Sequence, residues 1–273
     1  MHWMTAWIAL ALVSPLAAQP GAQPHAAKVN VYIYHDAGYF SAGYLDPPKG
    51  ADAVEYHRLM ANALGQELAR HGVSSAIIDA EGWAEVCGQG RRCIVVDIAQ
   101  SVPSTVYSGQ DDGSPLKRWL QAGGLLCYSG DWFAHWYASP GGGHEGSSAC
   151  QSGDDDIFGA DLVRDGFVGI ACEPTEAAQA VLPGFKGWRT SRPFDADAVV
   201  AACPWHEFYG LGRRPAAGGI LRAADPLAFR VPGGRGYFFG CRFGRSTHTD
   251  SAQMVCDFIL NRGLSLLKDG DPQ

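Results

Sequence analysis

Hydrophobic and polar positions in the first hundred residues follow the periods of strands and helices in turn. Val29, Val31 and Ile33 alternate with polar or aromatic residues, which predicts a β-strand. Apolar residues at helical spacing over 56–68 predict a helix, and Gly72 supplies its end. Two apolar runs, 76–78 and 94–98, predict further strands, and the second is apolar enough to be covered on both faces.

The pattern continues with another helix and another strand. Ser114 and Pro115 form an N-cap and first-turn pair for a helix that carries Leu116, Trp119 and Leu120. Glycines at 123–124 end that helix, and the apolar run 125–128 predicts the next strand. This order of elements predicts an α/β fold of the flavodoxin-like, doubly wound kind, with a mostly parallel sheet and helices on both faces.

The pattern is looser beyond residue 138, and residues 139–226 form a long insertion. Three acids at 154–156 precede an apolar pair, which favours a helix start over a metal-binding acid cluster. Residues 199–202 and 219–221 are short strand candidates. Residues 227–231 and 237–243 predict a C-terminal hairpin, and Asp250 or Ser251 is expected to cap a final helix ending near 262–263.

The start of the chain predicts export. Residues 1–27 contain no Lys, Arg, Asp or Glu, and residues 6–13 form a short apolar core followed by small residues. We interpret 1–18 as a signal peptide and 19–27 as a linker, with an uncleaved anchor as the alternative. Residues 28–265 then form a single domain with a tail at 266–273, and the protein is expected to be secreted or periplasmic.

Net charge and the length of apolar runs disfavour two classes of partner, nucleic acid and the membrane interior. The formal net charge of −7 disfavours binding to a phosphate backbone, so no nucleic-acid partner is expected. No later run is apolar and long enough to predict a membrane span. The pattern assigns no oligomeric state.

Eight cysteines are typical of an oxidising compartment. Cys87 and Cys93 bracket a short loop with two glycines, so this pair is the first candidate for a disulfide. Pairing of the other six stays open, and those at 127, 241 and 256 lie in apolar runs where a reduced core thiol is the alternative. The chain has no Cys-x-x-Cys pair for zinc, and we predict neither a metal nor a cofactor.

A candidate catalytic group joins two distant segments. Ser129 follows the strand at 125–128, while His248 and Asp250 follow the strand at 237–243. Serine needs a base near neutral pH, and a His oriented by an acid can supply one. The alternative is that Ser129 and Asp250 only cap the segments that follow them.

A candidate ligand-binding group lies at the same expected edge of the sheet. Asp36 and Asp131 follow the first and fourth strands, and Trp132 and Trp136 come directly after the second acid. Carboxylates beside aromatic rings suit a small-molecule or glycan ligand, because stacking adds to hydrogen bonding. Packing of these rings against the insertion is the alternative.

The chain resembles the class I glutamine-amidotransferase-like superfamily. The resemblance rests on the run from Gly123 through the strand to Asp131, and on the strand 237–243 followed by His248, Asp250 and a last helix. Residues 34–38 after the first strand are most similar to the biotin-protein-ligase N-terminal-like group, with ThuA-like domains second. The family's amidotransferases carry a cysteine on the turn where Ser129 stands here, and Cys127 arrives too early, so amidotransferase activity is not expected.

Two functions follow from these residues. One is a secreted hydrolase that acts on an ester, amide or glycan-linked group through Ser129, His248 and Asp250. The other is a non-catalytic module that binds a carbohydrate-like or other small molecule on the same fold.

Overall fold

The computed structural model describes most of the chain beyond residue 29. The described ranges are 30–40, 49–98, 101–109, 113–130, 133–142, 144–146, 154–163, 169–190, 193–216, 219–241 and 248–269. Residues 144–146, 154, 216, 248–251 and 269 are described by their backbone alone.

The described strands and helices alternate in the first half of the chain, and strands dominate the insertion. The strands are β1 Val31–Tyr34, β2 Ser75–Ile78, β3 Ile94–Ile98, β4 Val102–Pro103, β5 Leu125–Ser129, β6 Trp136–Ala138, β7 His144–Gly146, β8 Ile170–Pro174, β9 Trp188–Thr190, β10 Phe194–Asp195, β11 His206–Phe208, β12 Gly210–Ala216, β13 Gly219–Ala224, β14 Leu227–Arg230 and β15 Tyr237–Cys241. The α-helices are α1 Ala53–Arg70, α2 Ala80–Gly88, α3 Pro115–Ala122, α4 Asp154–Phe158, α5 Glu176–Val181, α6 Ala196–Ala202, α7 His248–Phe258 and α8 Leu264–Asp269, with a π-helical turn Ile259–Gly263 between the last two.

A seven-stranded sheet forms the centre of the molecule, in the order β11-β14-β15-β5-β3-β1-β2. The five strands from β15 to β2 are parallel, whereas β14 and β11 pair antiparallel. The predicted mostly parallel sheet and the C-terminal hairpin β14–β15 are therefore confirmed.

Helices cover both faces of this sheet, as predicted. One apolar core contains residues of α2 and α3, and the other contains residues of α1, α7 and the π-helical turn. Phe239 and Phe258 stack at a centroid distance of 4.0 Å and join β15 to α7 in the second core. Successive residues of a strand point to opposite faces, so both cores draw on the same strands.

Local capping explains where the early helices begin. The Asp52 carboxylate accepts a hydrogen bond from the Glu55 N–H at 2.8 Å at the start of α1. Ser114 caps α3 through the Lys117 N–H, and Pro115 occupies the first turn, as the sequence predicted. The N–H groups of the first helical turn have no partner within the helix, so these side chains satisfy them.

The insertion forms a second, antiparallel sheet in the order β10-β13-β12-β8-β9. The strand predicted at 219–221 is confirmed within β13. The strand predicted at 199–202 is wrong, because these residues belong to α6, which Asp195 caps through the N–H groups of Asp197 and Ala198. A short apolar run is ambiguous between helix and strand, and the cap decides here.

One further helix and the end of one strand differ from expectation. Helix α2 was missed by the periodicity, although Asp79 caps it through the Gly82 N–H at 2.8 Å. Ser129 is the last residue of β5 and not part of the turn, because its register with Ile98 and Cys241 extends the sheet by one residue. Within the described residues, no helix combines the length and apolar character that crossing a membrane requires.

Candidate functional site

The carboxyl ends of β1, β3, β5 and β15 meet at one edge of the central sheet. Tyr34, Asp97, Tyr128 and Gly240 lie in one row across this edge. The aromatic members of the row belong to the core beneath α2 and α3. Ligands of open α/β sheets bind at this edge, and β1 and β3 flank the point where the chain turns from one side of the sheet to the other.

Ser129 occupies the next row, together with Ile98 and Cys241. Ile98 and Cys241 belong to the core beneath α1 and α7, so Ser129 lies on the face opposite the Tyr34 row. The hydroxyl of Ser129 is buried and makes no hydrogen bond of ordinary geometry with a described residue. The Cys241 thiol lies beside it. Burial and the charge of Asp225 raise the pKa of that thiol, while contact with the Ser129 hydroxyl lowers it. A thiol is a weak hydrogen-bond partner, so this contact leaves the hydroxyl largely unsatisfied.

Helix α7 brings His248 and Asp250 into the same region of the fold. It begins at His248 and packs against β3 and β5, so the expected cap at Asp250 or Ser251 is wrong, because both residues lie within the first turn of the helix. The side chains of His248 and Asp250 lie outside the described part of the molecule. Positions two apart in a helix do not share a face. The backbone of α7 therefore gives no support to an arrangement in which the acid orients the imidazole directly.

The structure describes some of the predicted ligand-binding residues and not others. Asp131 and Trp132 lie outside the described residues. Trp136 begins β6 and is 38% exposed, so its indole is accessible to a ligand. Phe133, by contrast, is fully buried against Tyr128, Phe158 and Phe238, which is the packing alternative for this aromatic segment.

Asp36 has a defined structural role at this edge. One carboxylate oxygen accepts from the Gly38 N–H at 2.7 Å, and the other accepts from the Ala80 N–H at 3.0 Å. Asp36 therefore caps α2 from a distant part of the chain, beside the local cap Asp79. A carboxylate oxygen has more than one lone pair, so each oxygen can still accept from a ligand.

Tyr34 is the residue that sequence reasoning missed and the structure singles out. Its side chain is 2% exposed, and its hydroxyl makes no hydrogen bond with any described residue. Its ring packs on Trp83 at a centroid distance of 5.0 Å. Burial raises the pKa of the phenol, and the charges of Asp97 and Asp36 and the neighbouring Tyr39 and Asp79 raise it further. Tyr34 is therefore a neutral hydrogen-bond donor and acceptor surrounded by acids.

Asp97 is a further residue of this edge that no motif in the sequence indicated. It is a charged residue inside the run Ile94–Ile98, which was expected to be covered on both faces, and it is completely buried. A carboxylate in such a run is costly to bury unless other groups stabilise it. An acid within an otherwise apolar parallel strand is therefore the sequence signal that could have pointed to this edge of the sheet.

The imidazole of His35, next along the chain, is half-buried. Burial lowers its pKa, and the opposing charge of Asp36 compensates only in part. His35 is therefore neutral near pH 7. Its backbone N–H donates to Ile78 O at 2.9 Å and holds the end of β1 to the end of β2.

The segment Trp205-His206-Glu207 lies away from this edge. Trp205 packs edge-on against Tyr237 at the opposite, amino-terminal end of β15. Glu207 accepts hydrogen bonds from Arg262 and from the Tyr209 hydroxyl, the latter at 2.8 Å. These residues stabilise the contact between β11 and the π-helical turn and do not belong to the candidate site.

The described cysteines are all buried free thiols. Cys87 and Cys93 are near enough for the charge of one to raise the pKa of the other, although burial is the larger cause. A disulfide between them stays a prediction. Cys127 lies inside β5 as expected, and burial holds its thiol pKa well above the usual range. Among the described residues, no group of three His, Cys, Asp or Glu side chains is arranged to hold a metal ion.

Comparisons with known proteins identify no family for this chain. No protein-family model matches it, and no curated protein matches it. Among solved structures, it is similar to the exo-β-1,4-mannosidase Op5Man5 from Opitutaceae bacterium strain TAV5, with a TM-score of 0.39 and 10% identity over 87% of this chain. The chain spans 34% of the length of that mannosidase. It is also similar to the cytoplasmic protein STM1381 from Salmonella typhimurium LT2, with a TM-score of 0.40 and 10% identity over 86% of this chain and 98% of the other. Both TM-scores are too low to establish a shared fold or function.

Proposed function

We propose that the protein binds a small, hydroxyl-rich molecule of the carbohydrate kind at the carboxyl edge of β1 and β3. The observation that carries this proposal is the Tyr34 hydroxyl, which is buried, unsatisfied by described residues and flanked by carboxylates. A buried polar group without a partner costs about 1–3 kcal/mol, so its presence calls for a ligand or water. A ligand hydroxyl accepts from the phenol and donates to a carboxylate at the same time.

The accessible indole of Trp136 supports the same class of ligand. An exposed tryptophan beside polar groups stacks on the apolar face of a sugar ring. Asp131 and Trp132, which follow β5 in sequence, belong to this proposal as further ligand-binding residues, as does Asp36 through its remaining lone pairs.

We also propose a fold family and a location for the protein. The parallel strands run in the order β2-β1-β3-β5-β15, which supports a flavodoxin-like arrangement related to class I glutamine-amidotransferase-like domains. The apolar, uncharged start of the sequence supports secretion or a periplasmic location.

Isothermal titration calorimetry against a panel of monosaccharides and polyols tests the proposal. Tyr34→Phe removes only the hydroxyl and should weaken binding by about 10- to 100-fold. Tyr32→Phe is the matched control, because Tyr32 lies on the same strand and face but its hydroxyl accepts from Arg91 at 2.9 Å. Equal affinity of wild type and Tyr34→Phe, or no binding by wild type at millimolar ligand, would exclude this function.

A hydrolase is the second candidate, and the buried, unsatisfied hydroxyl of Ser129 favours it. In this function Ser129 is the nucleophile, and His248 with Asp250 supplies the base. Backbone N–H groups beside the end of β5 would stabilise the oxyanion.

Kinetics of single and double variants distinguish the hydrolase from the binding module. If His248 is the base, His248→Ala and Ser129→Ala should each lower turnover by about 10²-fold or more with little change in melting temperature. The double variant should be little worse than either single variant, because a nucleophile and its base act as a unit. Ser75→Ala at the edge strand β2 is the control. If the parent protein hydrolyses no ester, amide or glycan, the hydrolase is excluded and the binding module is the remaining function.

A further inference from the structure

The hairpin of β12 and β13 continues beyond the strands that flank it. The ladder between β8 and β12 ends at Leu211, and the ladder between β10 and β13 ends at Ala223. Beyond these pairs, β12 and β13 pair only with each other. We call residues 213–216 and 219–222 the distal ribbon. Among the described residues, no other strand pairs with it on either side.

The distal ribbon carries arginines on both of its faces. Arg213 is the register partner of Arg222, and Arg214 is the register partner of Leu221. Successive residues of a strand point to opposite faces, so Arg213 and Arg214 leave the ribbon in opposite directions. Both are exposed, and neither makes a hydrogen bond or an ion pair with another described residue. Arg222, by contrast, pairs with Asp197 at 2.8 Å.

The end of the ribbon is apolar. Ile220 is 62% exposed, the highest value for any large hydrophobic side chain in the described part of the protein. Its register partner Pro215 is exposed as well, and the sequence has no charged residue between Arg214 and Arg222. Charged side chains by themselves keep an exposed ribbon from aggregating. An exposed isoleucine beside them has the opposite effect, and it favours contact with an apolar surface.

The apolar and charged positions lie at two levels along the ribbon. A strand rises about 3.4 Å per residue, so Pro215 and Ile220 lie roughly 7 Å beyond Arg213 and Arg222. A segment bound at a membrane surface places its apolar side chains about 5–10 Å into the boundary between headgroups and acyl chains, with its basic side chains near the phosphates. Cations on both faces suit a ribbon surrounded by headgroups, since docking on a protein surface uses one face.

We propose that the distal ribbon binds the surface of a membrane that contains anionic phospholipid. Ile220 lies at the boundary with the acyl chains, and Arg213 and Arg214 bind the phosphate groups, which guanidinium groups can contact through two parallel N–H bonds. The formal net charge of the chain is −7, but at 0.1 M salt a charge acts over only about 10 Å. Acids far from the ribbon are therefore screened. This inference does not depend on the proposed function.

Co-sedimentation with large unilamellar vesicles tests the proposal. The full chain is mixed with vesicles of phosphatidylcholine alone, or of phosphatidylcholine with about a third of phosphatidylglycerol, in about 0.1 M salt. It should bind the anionic vesicles about tenfold or more tightly than the neutral ones. The difference should shrink at high salt, because screening weakens charge interactions.

Reversal of charge on the ribbon locates the contact. Arg213→Glu together with Arg214→Glu should lower the affinity for anionic vesicles by about 30-fold or more, because each basic side chain near such a surface contributes about fivefold. The matched control is Lys49→Glu together with Arg235→Glu, which changes two exposed cations elsewhere and alters the net charge equally. This control should lower the affinity by less than about threefold.

Ile220→Ser tests the apolar part of the contact. It should lower the affinity by about threefold or more, because an apolar side chain no longer leaves water. Leu59→Ser is the control, since Leu59 is 53% exposed on α1, far along the chain from the ribbon. It should leave the affinity unchanged. All these side chains are exposed, so every variant should keep the melting temperature of the wild type.

Three results would refute the proposal. They are equal affinity of wild type and the double arginine variant, equal affinity for the two kinds of vesicle, and no binding to either. If the wild type binds polyglutamate through the same arginines but not the vesicles, the partner is an acidic polypeptide and the membrane proposal is wrong. Full affinity of Ile220→Ser would contradict the insertion of the ribbon end.

Discussion

Two tyrosines on one strand show how a single hydroxyl changes the role of a residue. Tyr32 and Tyr34 lie on the same face of β1 and contribute to the same core. Arg91 donates to the hydroxyl of Tyr32, whereas no described residue bonds that of Tyr34. The first hydroxyl therefore contributes to folding, whereas the second has no hydrogen bond within the described part of the chain to offset its burial.

The two conservative variants should change stability in opposite directions. Tyr32→Phe should lower the free energy of unfolding by about 1 kcal/mol, because a hydrogen bond is lost. Tyr34→Phe should leave it unchanged or raise it by up to about 1 kcal/mol, because an unsatisfied polar group is removed. Urea unfolding without ligand measures both values. A loss for Tyr34→Phe as large as that for Tyr32→Phe would show that its hydroxyl is satisfied in the free protein.

His35 should make the protein less stable in mild acid. Its pKa is lowered in the folded state, so the unfolded chain binds the proton more readily. Stability is then complete above the unfolded value near 6.5 and falls as the pH decreases through that value towards the folded one.

Denaturant titrations between pH 7.5 and 5 measure this dependence. His35→Gln should flatten the decline, because it removes a group that binds a proton more readily in the unfolded chain than in the folded one. An unchanged slope in the His35 variant would contradict the role of this histidine.

At the scale of elements, the start of β15 is held against the end of α3 by close backbone contact. A Cβ atom at Gly236 would lie 2.1 Å from Leu120 O and 2.4 Å from Gly124 O. Tyr237 N–H donates to Gly124 O at 2.9 Å, which fixes the register of β15 beside β5. This contact sets the position of Ser129 opposite Cys241.

Gly236→Ala should therefore destabilise the protein strongly, by about 2 kcal/mol or more, because backbone atoms have to move. Gly88→Ala is the matched control, since a Cβ atom there meets nothing within 4 Å. Thermal unfolding of both variants measures the effect. Similar melting temperatures of the two variants would show that the backbone at the α3–β15 contact can shift at little cost in stability.

Cys87 and Cys93 offer a covalent link between the end of α2 and the start of β3. Non-reducing peptide mapping of exported protein should recover them in one disulfide-linked fragment. Their reduction should cost less stability than loss of a long-range bridge, because a short loop restricts the unfolded chain less. Alkylation of both thiols in exported protein without prior reduction would refute the bridge and weaken the case for an oxidising compartment.

At the scale of the whole molecule, the start of the chain predicts export. The apolar run 6–13 and the small residues after it predict cleavage by a signal peptidase. N-terminal sequencing of protein recovered outside the cytoplasm should begin between about residues 19 and 28. A mature product that retains Met1 would overturn the predicted location.

The arrangement of the sheets also belongs to this scale. The parallel strands of the central sheet bring residues from 34 to 241 to one edge, while the insertion builds its own antiparallel sheet. Long-range pairing therefore gathers the candidate site from segments that are far apart in sequence.

The sequence by itself determined the α/β class, the strands β1, β3 and β5, the capped start of α3 and the β14–β15 hairpin. These features depend on local periodicity, turn residues and caps, which act over a few residues. The sequence also placed Asp36 and Ser129 near the ends of strands, where the sheet edge was expected.

Tertiary contacts decided the element types, strand ends and side-chain partners that local periodicity leaves open. The run 199–202 became a helix because Asp195 caps it, and Ser129 joined β5 because both neighbouring strands extend alongside it. Asp36 became a cap for α2 through a contact 44 residues away, and Arg91 reaches the hydroxyl of Tyr32 whereas no described residue bonds that of Tyr34. Such roles depend on partners distant in sequence, and no local pattern records which side chains will meet.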